Sequence, residues 1–265
     1  MEFLHILTLA AVQGLTEFLP VSSSGHLILV PYLTGWPDQG LNFDIAVHVG
    51  TLMAVLLYFW RDVWMIARDT LTWPIHRQNN LGVRLFVFLL IGMLPAVIFG
   101  VIYKHLYPDG LRSVQLVAGN MIIFGLIMGI VDHLSQKSRD MESLGWKHAL
   151  LIGIAQAMAI IPGVSRSGIT ITAARLFHVN RVDAARFSML LAIPTIIGAA
   201  ALDFKDMIGS EGPIPYHDLG MGIALAFLFG LFAIGFMMKW LQHASLKIFT
   251  AYRLILGGLL LLYFA

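Results

Sequence analysis

The sequence predicts an all-α polytopic membrane protein with about six transmembrane helices and two re-entrant helix–turn–helix segments. Apolar residues make up 58% of its 265 positions and charged residues only 12%, whereas a soluble domain carries about a quarter charged residues. The apolar residues form long runs, and two further apolar stretches are each interrupted by a cluster of Pro, Gly and Ser. Because no long polar linker divides the chain, we expect a single integral membrane domain over residues 1–265.

Six uninterrupted apolar runs supply the predicted transmembrane helices. Most of them approach the roughly 20 residues that a helix needs to cross the bilayer core. They cover residues 43–60, 85–103, 114–131, 187–202, 219–238 and 249–264. The segment that precedes them contains Glu2 and no early Lys or Arg, so we do not expect it to be a cleaved signal peptide.

Composition excludes several kinds of function. The chain has no cysteine, so it can form neither a disulfide nor a thiolate metal site. Its formal net charge is only +2, and it contains no basic stripe or nucleic-acid motif. We therefore expect no nucleic-acid partner.

The two interrupted stretches predict helices that break inside the membrane, because Pro and Gly stop a helix. The helical parts cover residues 3–19 and 27–33 in the first stretch and 148–161 and 169–177 in the second, with Pro20 and Pro162-Gly163 at the breaks. Non-helical backbone at membrane depth is tolerated only where it is buried in protein or lines a wet cavity. Both breaks are therefore candidate parts of a functional site.

The two broken segments match one another without a gap, which indicates an internal duplication. The matched pairs are Gln13 with Gln156, Val21 with Val164, Ser22 with Ser165, Ser24 with Ser167 and Gly25 with Gly168. At the one position where the turns differ, Ser23 is the partner of Arg166. Each half then holds one broken segment and three long runs, so we place the repeat halves at approximately 1–134 and 147–265.

The distribution of Lys and Arg predicts how the chain is oriented. Most of the 17 Lys and Arg residues fall in four predicted loops, at 61–84, 137–147, 175–186 and 239–253, which the positive-inside rule places in the cytoplasm. Each half of the chain has three spans. The four loops can therefore lie on the same side of the membrane only if each broken segment returns to the side from which it entered. The halves are then inverted relative to each other, and such repeats commonly bind their ligand where the breaks meet at the midplane.

The first break carries a carboxylate and several hydroxyl groups. Gln13 and Glu17 are four residues apart on one helix face, and two oxygen-bearing side chains so placed can share a hard cation such as Mg²⁺. The serines at 22–24 have two interpretations, as caps of the next helix or as groups that contact a substrate. His26 is either a structural hydrogen-bonding residue or a proton-transfer group.

The second break has the character of an anion cradle. Ser165, Arg166, Ser167 and Gly168 lead directly into a predicted helix. Backbone N–H groups at a helix start, hydroxyls and a planar guanidinium together favour phosphate. In an apolar setting, this combination predicts a phosphorylated lipid as the ligand.

Arg166 is the only Lys or Arg that we expect inside an apolar segment, and Glu17 is the clearest acid there. Charged residues at membrane depth are by default functional candidates. The simpler interpretation is a structural ion pair between these two residues. That interpretation leaves the surrounding hydroxyl groups without a role.

Both breaks carry sequence signatures that resemble those of one family. Residues 13–26, QGLTEFLPVSSSGH, and residues 162–170, PGVSRSGIT, resemble the two signatures of the undecaprenyl-diphosphate phosphatase family, the bacitracin-resistance type called BacA or UppP. Gln13 stands at a position where the pattern admits Glu or Gln, which leaves Glu17 as the only strong metal ligand. His48 lies within a span where we expect Gln in relatives, and we assign it no function from the sequence.

The resemblance implies a membrane hydrolase that removes one phosphate from undecaprenyl diphosphate, gives the carrier lipid for peptidoglycan synthesis and confers bacitracin resistance. It implies a divalent cation, Mg²⁺ or Ca²⁺, and an active site that faces the outer side of the bacterial cytoplasmic membrane. It places catalysis on Glu17, Ser23, His26 and Arg166, and we add Gln13 and Glu17 as metal ligands. The expected phosphate contacts are Ser22, Ser24, Ser165, Arg166, Ser167, Gly168 and Thr170.

Several alternatives stay open at this point. Ser23 is the expected nucleophile with water as its rival, and either Glu17 or His26 is the base. A transporter or flippase of a lipid phosphate or small anion would share the architecture of inverted repeats. A channel-like or scaffold protein would use Glu17 and Arg166 as a structural pair. The oligomeric state is also open, with a homodimer as one candidate.

Overall fold

The computed structural model describes residues 1–76, 80–107, 110–135, 139–208 and 216–264. These ranges form α-helices and two short 3₁₀ turns, without a β-strand among them. The helices are α1 (Phe3–Phe18), α2 (Ser23–Thr34), α3 (Leu41–Tyr58), α4 (Trp60–His76), α5 (Leu81–Leu106), α6 (Val114–Leu134), α7 (Trp146–Ala157), α8 (Arg166–Leu176), α9 (Arg181–Ile208), α10 (Tyr216–His243) and α11 (Lys247–Phe264). Parts of the predicted loops, at 77–79, 108–109, 136–138 and 209–215, and residue 265 lie outside the described residues.

Six of these helices are long and apolar enough to cross a membrane, namely α3, α5, α6, α9, α10 and α11. The predicted class, an all-α polytopic membrane protein with about six spans, is confirmed. Five of the spans begin before the apolar runs predicted for them, and the largest difference is that of α9, which starts at Arg181 rather than at residue 187.

Both predicted breaks are present, and their turns have the same local geometry. Ser22 and Ser165 each adopt a positive φ, of 78° and 76°, immediately before α2 and α8. The Ser22 hydroxyl accepts from the N–H of Gly25 at 3.3 Å, and the Ser165 hydroxyl accepts from the N–H of Gly168 at 3.1 Å. The residues paired by the gapless alignment are thus structurally equivalent at the turn. The inverted relation between the whole halves stays a prediction.

The predicted loop at 61–84 contains the helix α4. Its apolar residues are interspersed with charged ones, so the sequence shows no long hydrophobic run there. Trp60 and Trp64 are exposed on one face, while Asp62 is buried on another and accepts hydrogen bonds from Arg186 of α9. The segment is an amphipathic helix that packs on the bundle, which a search for transmembrane runs does not detect.

Each broken segment is buried against a long helix from the other half of the chain. α1 packs on α10, and a Cβ atom added at Gly14 would lie 2.6 Å from Phe229 Cβ. α7 packs on α5, where a Cβ atom added at Gly153 would lie 2.4 Å from the Gly92 carbonyl oxygen. The breaks are therefore enclosed by protein, as unpaired backbone at membrane depth requires.

We predict that Gly153→Ala destabilises the protein by about 1–3 kcal/mol, the usual cost of overpacking a close contact. The added methyl group meets backbone of α5, which cannot move aside as a side chain can. The measurement is the thermal unfolding midpoint in detergent. Gly258→Ala on α11 is the matched control, because nothing lies within 4 Å of its added Cβ. Equal midpoints for the two variants would contradict the prediction.

Candidate active site

The two breaks face one cavity of about 410 Å³ inside the helical bundle. Its wall combines a polar part from both broken segments with an apolar part from α3, α5 and α9. The charged, hydroxyl and imidazole groups that line it are Glu17, Ser22, Ser23, Ser24, Asp44, His48, Ser165, Arg166 and Thr195. The cavity wall therefore brings together part of the predicted site from both breaks, namely Glu17, Ser22, Ser23, Ser24, Ser165 and Arg166.

An ion pair connects the two breaks across this cavity. Arg166 Nη2 donates to Glu17 Oε1 at 3.0 Å, and Arg166 Nη1 donates to the carbonyl oxygen of Ser188 at 3.2 Å. Glu17 is buried, with 6% of its side chain exposed. The guanidinium is thus held in a fixed orientation at the cavity wall. Since a guanidinium has five N–H donors, these two contacts leave donors for an anion.

The Ser23 hydroxyl is the closest nucleophile to this pair. Its Oγ donates to Glu17 Oε2 at 2.6 Å, and Gln13 Nε2 donates to the same oxygen at 3.1 Å. A hydroxyl that donates to a buried carboxylate has its proton acceptor already in place. The arrangement of Ser23, Glu17 and Arg166 is therefore one that could serve as a nucleophile, a base and an anion-binding group.

His26 lies apart from this group. Its Nδ1 is 2.7 Å from the carbonyl oxygen of Ser22, and its Nε2 is 2.6 Å from the Tyr252 hydroxyl. Because a carbonyl oxygen only accepts, Nδ1 carries a hydrogen, and Nε2 accepts from Tyr252. Both ring nitrogens are used in fixing the first turn to α11, and the ring is not part of the cavity wall.

Apart from Arg166, which lines the cavity as described above, the expected phosphate-binding residues divide into two groups. Ser22, Ser24 and Ser165 line the cavity, although Ser22 and Ser165 also cap the helices that follow them. The other three, Ser167, Gly168 and Thr170, stabilise the second turn. Ser167 Oγ donates to the Leu19 carbonyl oxygen at 2.9 Å, and the Gly168 N–H donates to Ser165. Thr170 Oγ1 lies 2.6 Å from Ser188 Oγ. Ser22 and Ser165 therefore act as helix caps and also line the cavity, and contact of the serines with a substrate stays a prediction.

Arg253 of α11 is a site residue that the sequence analysis missed. It is fully buried and donates to five backbone carbonyl oxygens, those of Pro20, Asn120, Met121, Gly163 and Val164. Three of these carbonyls belong to the two breaks, so one guanidinium joins both turns. The expectation that Arg166 is the only Lys or Arg inside an apolar segment is wrong. The available signal was a lone Arg a few residues inside the run at 249–264.

His48 and Asp44 of α3 also line the cavity, and neither was assigned a function from the sequence. His48 Nε2 lies 3.9 Å from Glu17 Oε2, and its Nδ1 lies 2.7 Å from the Asp44 carbonyl oxygen. The signal that could have found them is their spacing of four residues, which puts both on one face of a helix. That face is the one turned to the first break.

The donor atoms around Glu17 fit a divalent cation. Carboxylate, amide and hydroxyl oxygens are the ligands that Mg²⁺ and Ca²⁺ prefer. Gln13 is fully buried, and its Oε1 has no hydrogen-bond partner within the described parts of the chain. Those parts contain no group of three or more His, Asp or Glu residues that could hold a metal ion. A cation held here would therefore also need oxygens from a bound phosphate.

The fold and the site together define a class of protein, a polytopic membrane protein with a hydroxyl, a carboxylate and a guanidinium gathered at two helix breaks. The family model described as "Bacitracin resistance protein BacA" matches residues 6–259. The chain therefore belongs to the BacA family.

Similar proteins cover the whole length of the chain. An undecaprenyl-diphosphatase of Marinobacter nauticus is 44% identical over 260 residues, which is 98% of each chain. Undecaprenyl-diphosphatase 2 of Stutzerimonas stutzeri is 44% identical over 268 residues, and covers 100% of this chain and 99% of its own. An undecaprenyl-diphosphatase of Roseobacter denitrificans is 45% identical over 264 residues, 99% of each chain.

We predict that Arg253→Met lowers the stability of the protein by about 3 kcal/mol or more, because each buried carbonyl left without a donor costs about 1–3 kcal/mol. Arg253→Lys should fall between the wild type and this variant, since an ammonium has three donors in place of five. The measurement is the thermal midpoint in detergent. Arg61→Met is the control, because Arg61 is exposed on α4. A wild-type midpoint for Arg253→Met would refute the prediction.

Proposed function

We propose that this chain is a membrane-embedded undecaprenyl-diphosphate phosphatase, a hydrolase that converts undecaprenyl diphosphate to undecaprenyl phosphate and so recycles the carrier lipid for cell-wall synthesis. Membership of the BacA family and full-length similarity to proteins named undecaprenyl-diphosphatase support it. The observation that carries it is the contact of Ser23 and Arg166 with the same carboxylate, at 2.6 and 3.0 Å. Bacitracin resistance is the expected physiological effect.

The diphosphate head group binds between the two breaks. The N–H donors of Arg166 that face the cavity hold the terminal phosphate and balance the charge that develops on it, since a guanidinium matches phosphate oxygens in pairs. The hydroxyls of Ser22, Ser24 and Ser165 add hydrogen bonds from the same wall. The apolar remainder of the wall, which includes Leu52, suits the first part of the prenyl chain.

The reaction proceeds by two displacements at phosphorus. Ser23 Oγ attacks the terminal phosphorus while its proton passes to Glu17, and the anhydride P–O bond breaks to release undecaprenyl phosphate. Water then attacks the phosphorus of the phosphoserine, Glu17 returns its proton to the departing Ser23 Oγ, and inorganic phosphate leaves with the protons of the water. A direct attack by water, with Glu17 as its base, is the rival route. In both routes Glu17 is the base that the geometry favours over His26.

A divalent cation, Mg²⁺ or Ca²⁺, completes the site in our proposal. Glu17 and Gln13 would hold it, and it supplies positive charge to the phosphate oxygens. The unpartnered Oε1 of Gln13 supports this assignment.

We propose further that the site opens to the outer side of the bacterial inner membrane. The cavity is lined by Leu41 and Asp44 near the start of α3 and by Ala199 and Ala200 in the second half of α9. Both segments lie away from the Lys- and Arg-rich loops that we place in the cytoplasm. Substrate would then reach Arg166 from the outer leaflet. Assembly as a homodimer stays a prediction.

The decisive test is phosphate release from undecaprenyl diphosphate by the purified protein in detergent. We expect divalent-dependent release that is lost with a chelator, and a fall of ~10³–10⁵ in rate for Arg166→Ala, the range for an arginine that stabilises phosphoryl transfer. Arg61→Ala, remote from the cavity, should retain wild-type activity. A detergent solution has no compartments, so a pure transporter would release nothing. That result would refute the proposed function.

The covalent route has its own test at Ser23. We expect Ser23→Ala to lose at least ~10³-fold in rate, because a missing nucleophile disables the whole catalytic unit. Acid-quenched wild-type protein should carry phosphate on Ser23, detected by mass spectrometry of the peptide. Ser143→Ala removes an exposed hydroxyl outside the cavity and serves as the control. Substantial activity in Ser23→Ala would favour the attack by water.

A further inference from the structure

The hydrogen bond that His48 makes within α3 determines which of its nitrogens faces the cavity with a lone pair. Nδ1 lies 2.7 Å from the carbonyl oxygen of Asp44. A carbonyl oxygen only accepts, so Nδ1 carries the hydrogen, and in a neutral imidazole Nε2 then has the lone pair. A histidine that binds a metal typically donates its other N–H to such a carbonyl.

The lone pair of His48 Nε2 faces an atom that also lacks a proton. Nε2 and Glu17 Oε2 are 3.9 Å apart, which is too far for a hydrogen bond. Glu17 Oε2 already accepts from Ser23 and Gln13, whereas a positive species between the two atoms would also give the His48 nitrogen a partner. The charge of Glu17 is already matched by Arg166, and a bound diphosphate would bring further negative charge into the cavity. A divalent cation would balance that charge.

Gln13 supplies a third donor at the same place. Its Nε2 donates to Glu17 Oε2 at 3.1 Å, while its Oε1 is buried without a partner among the described residues. The oxygen and nitrogen of an amide exchange places by a half-turn of the group, and the assignment of the two follows from their partners. After that half-turn Oε1 would lie on the side of Glu17 Oε2. The hydrogen bond from Ser23 to Glu17 would be unaffected.

We propose that His48 Nε2 is a ligand of the divalent cation of this enzyme, together with Glu17 and Gln13. An imidazole nitrogen suits metals such as Co²⁺, Ni²⁺ and Zn²⁺, whereas Mg²⁺ and Ca²⁺ prefer oxygen alone. His48 therefore shifts the preference of the site towards the transition metals. The inference rests on the proposed diphosphatase function, because the phosphate oxygens of the substrate complete the coordination.

The test compares the affinity of the full-length protein in detergent for Co²⁺ and for Mg²⁺, each measured by calorimetry in the presence of inorganic phosphate, which supplies the oxygens that complete the coordination. We expect His48→Gln to bind Co²⁺ at least about tenfold more weakly, the lower end of what even outer-sphere partners of a metal cost. Its affinity for Mg²⁺ should change less. The visible absorption of bound Co²⁺ should also change, since a nitrogen ligand is lost. His243→Gln, exposed at the end of α10, is the control for loss of an imidazole.

A second variant keeps the inference testable if His48→Gln is unstable. His48→Glu replaces the nitrogen by a carboxylate, and it should bind Mg²⁺ more tightly relative to Co²⁺ than the wild type does. Unchanged Co²⁺ affinity and spectrum in folded His48→Gln would overturn the inference, as would unchanged selectivity in His48→Glu. Phosphate release by the same wild-type preparation separates the two claims. If the wild type releases phosphate but substitution of His48 does not change metal binding, His48 is not a metal ligand. If the wild type releases no phosphate, the proposed function is refuted.

Discussion

The backbone at the two helix breaks has to be satisfied without water, and the arrangement of the whole bundle follows from that constraint. The carbonyl groups of the first turn accept from side chains: Leu19 from Ser167, Pro20 from Arg253 and Ser22 from His26. In the second turn, the carbonyl of Pro162 accepts from Asn120, and those of Gly163 and Val164 accept from Arg253. The donors come from several helices, so the turns exist only in the assembled bundle.

The same contacts explain why the polar residues of the breaks are more numerous than catalysis alone requires. Ser167, Thr170 and His26 hold the two turns through their hydrogen bonds. The side chains of Ser23, Glu17 and Arg166, which we propose for the reaction, are therefore not needed for that purpose. A catalytic group is effective only when it is held close to its productive geometry. The ion pair between Glu17 and Arg166 serves both purposes, because it neutralises two buried charges and orients them towards one cavity.

The sequence was sufficient for the features that depend on local pattern. The spans follow from runs of apolar residues, and the breaks follow from Pro, Gly and Ser, whose effect on a helix is local. The helix α4 was missed because its apolar residues alternate with charged ones. Arg253 was assigned to a loop because it stands close to the edge of its run, and its burial depends on carbonyls distant in sequence.

The contacts between residues of the site could not be predicted from the sequence either. The signatures indicated that Glu17, Ser23, His26 and Arg166 belong to one site, but they left Glu17 and His26 equal as the base. The choice between them depends on where the side chains of Glu17 and His26 point in the folded protein. His48 likewise became a candidate only when the packing of α3 against the first break placed its ring near Glu17.

The position of Arg253 on the last helix has a consequence for biogenesis. Both turns accept hydrogen bonds from this residue, and His26 of the first turn also contacts Tyr252 on the same helix. During synthesis the first break therefore enters the membrane before Ser167 and Arg253, which donate to its Leu19 and Pro20 carbonyls, have been made. The nascent chain carries an unsatisfied turn until α11 is inserted, and closure of α11 against α6 completes both breaks together. The first break therefore cannot be completed before the second half of the chain is in place.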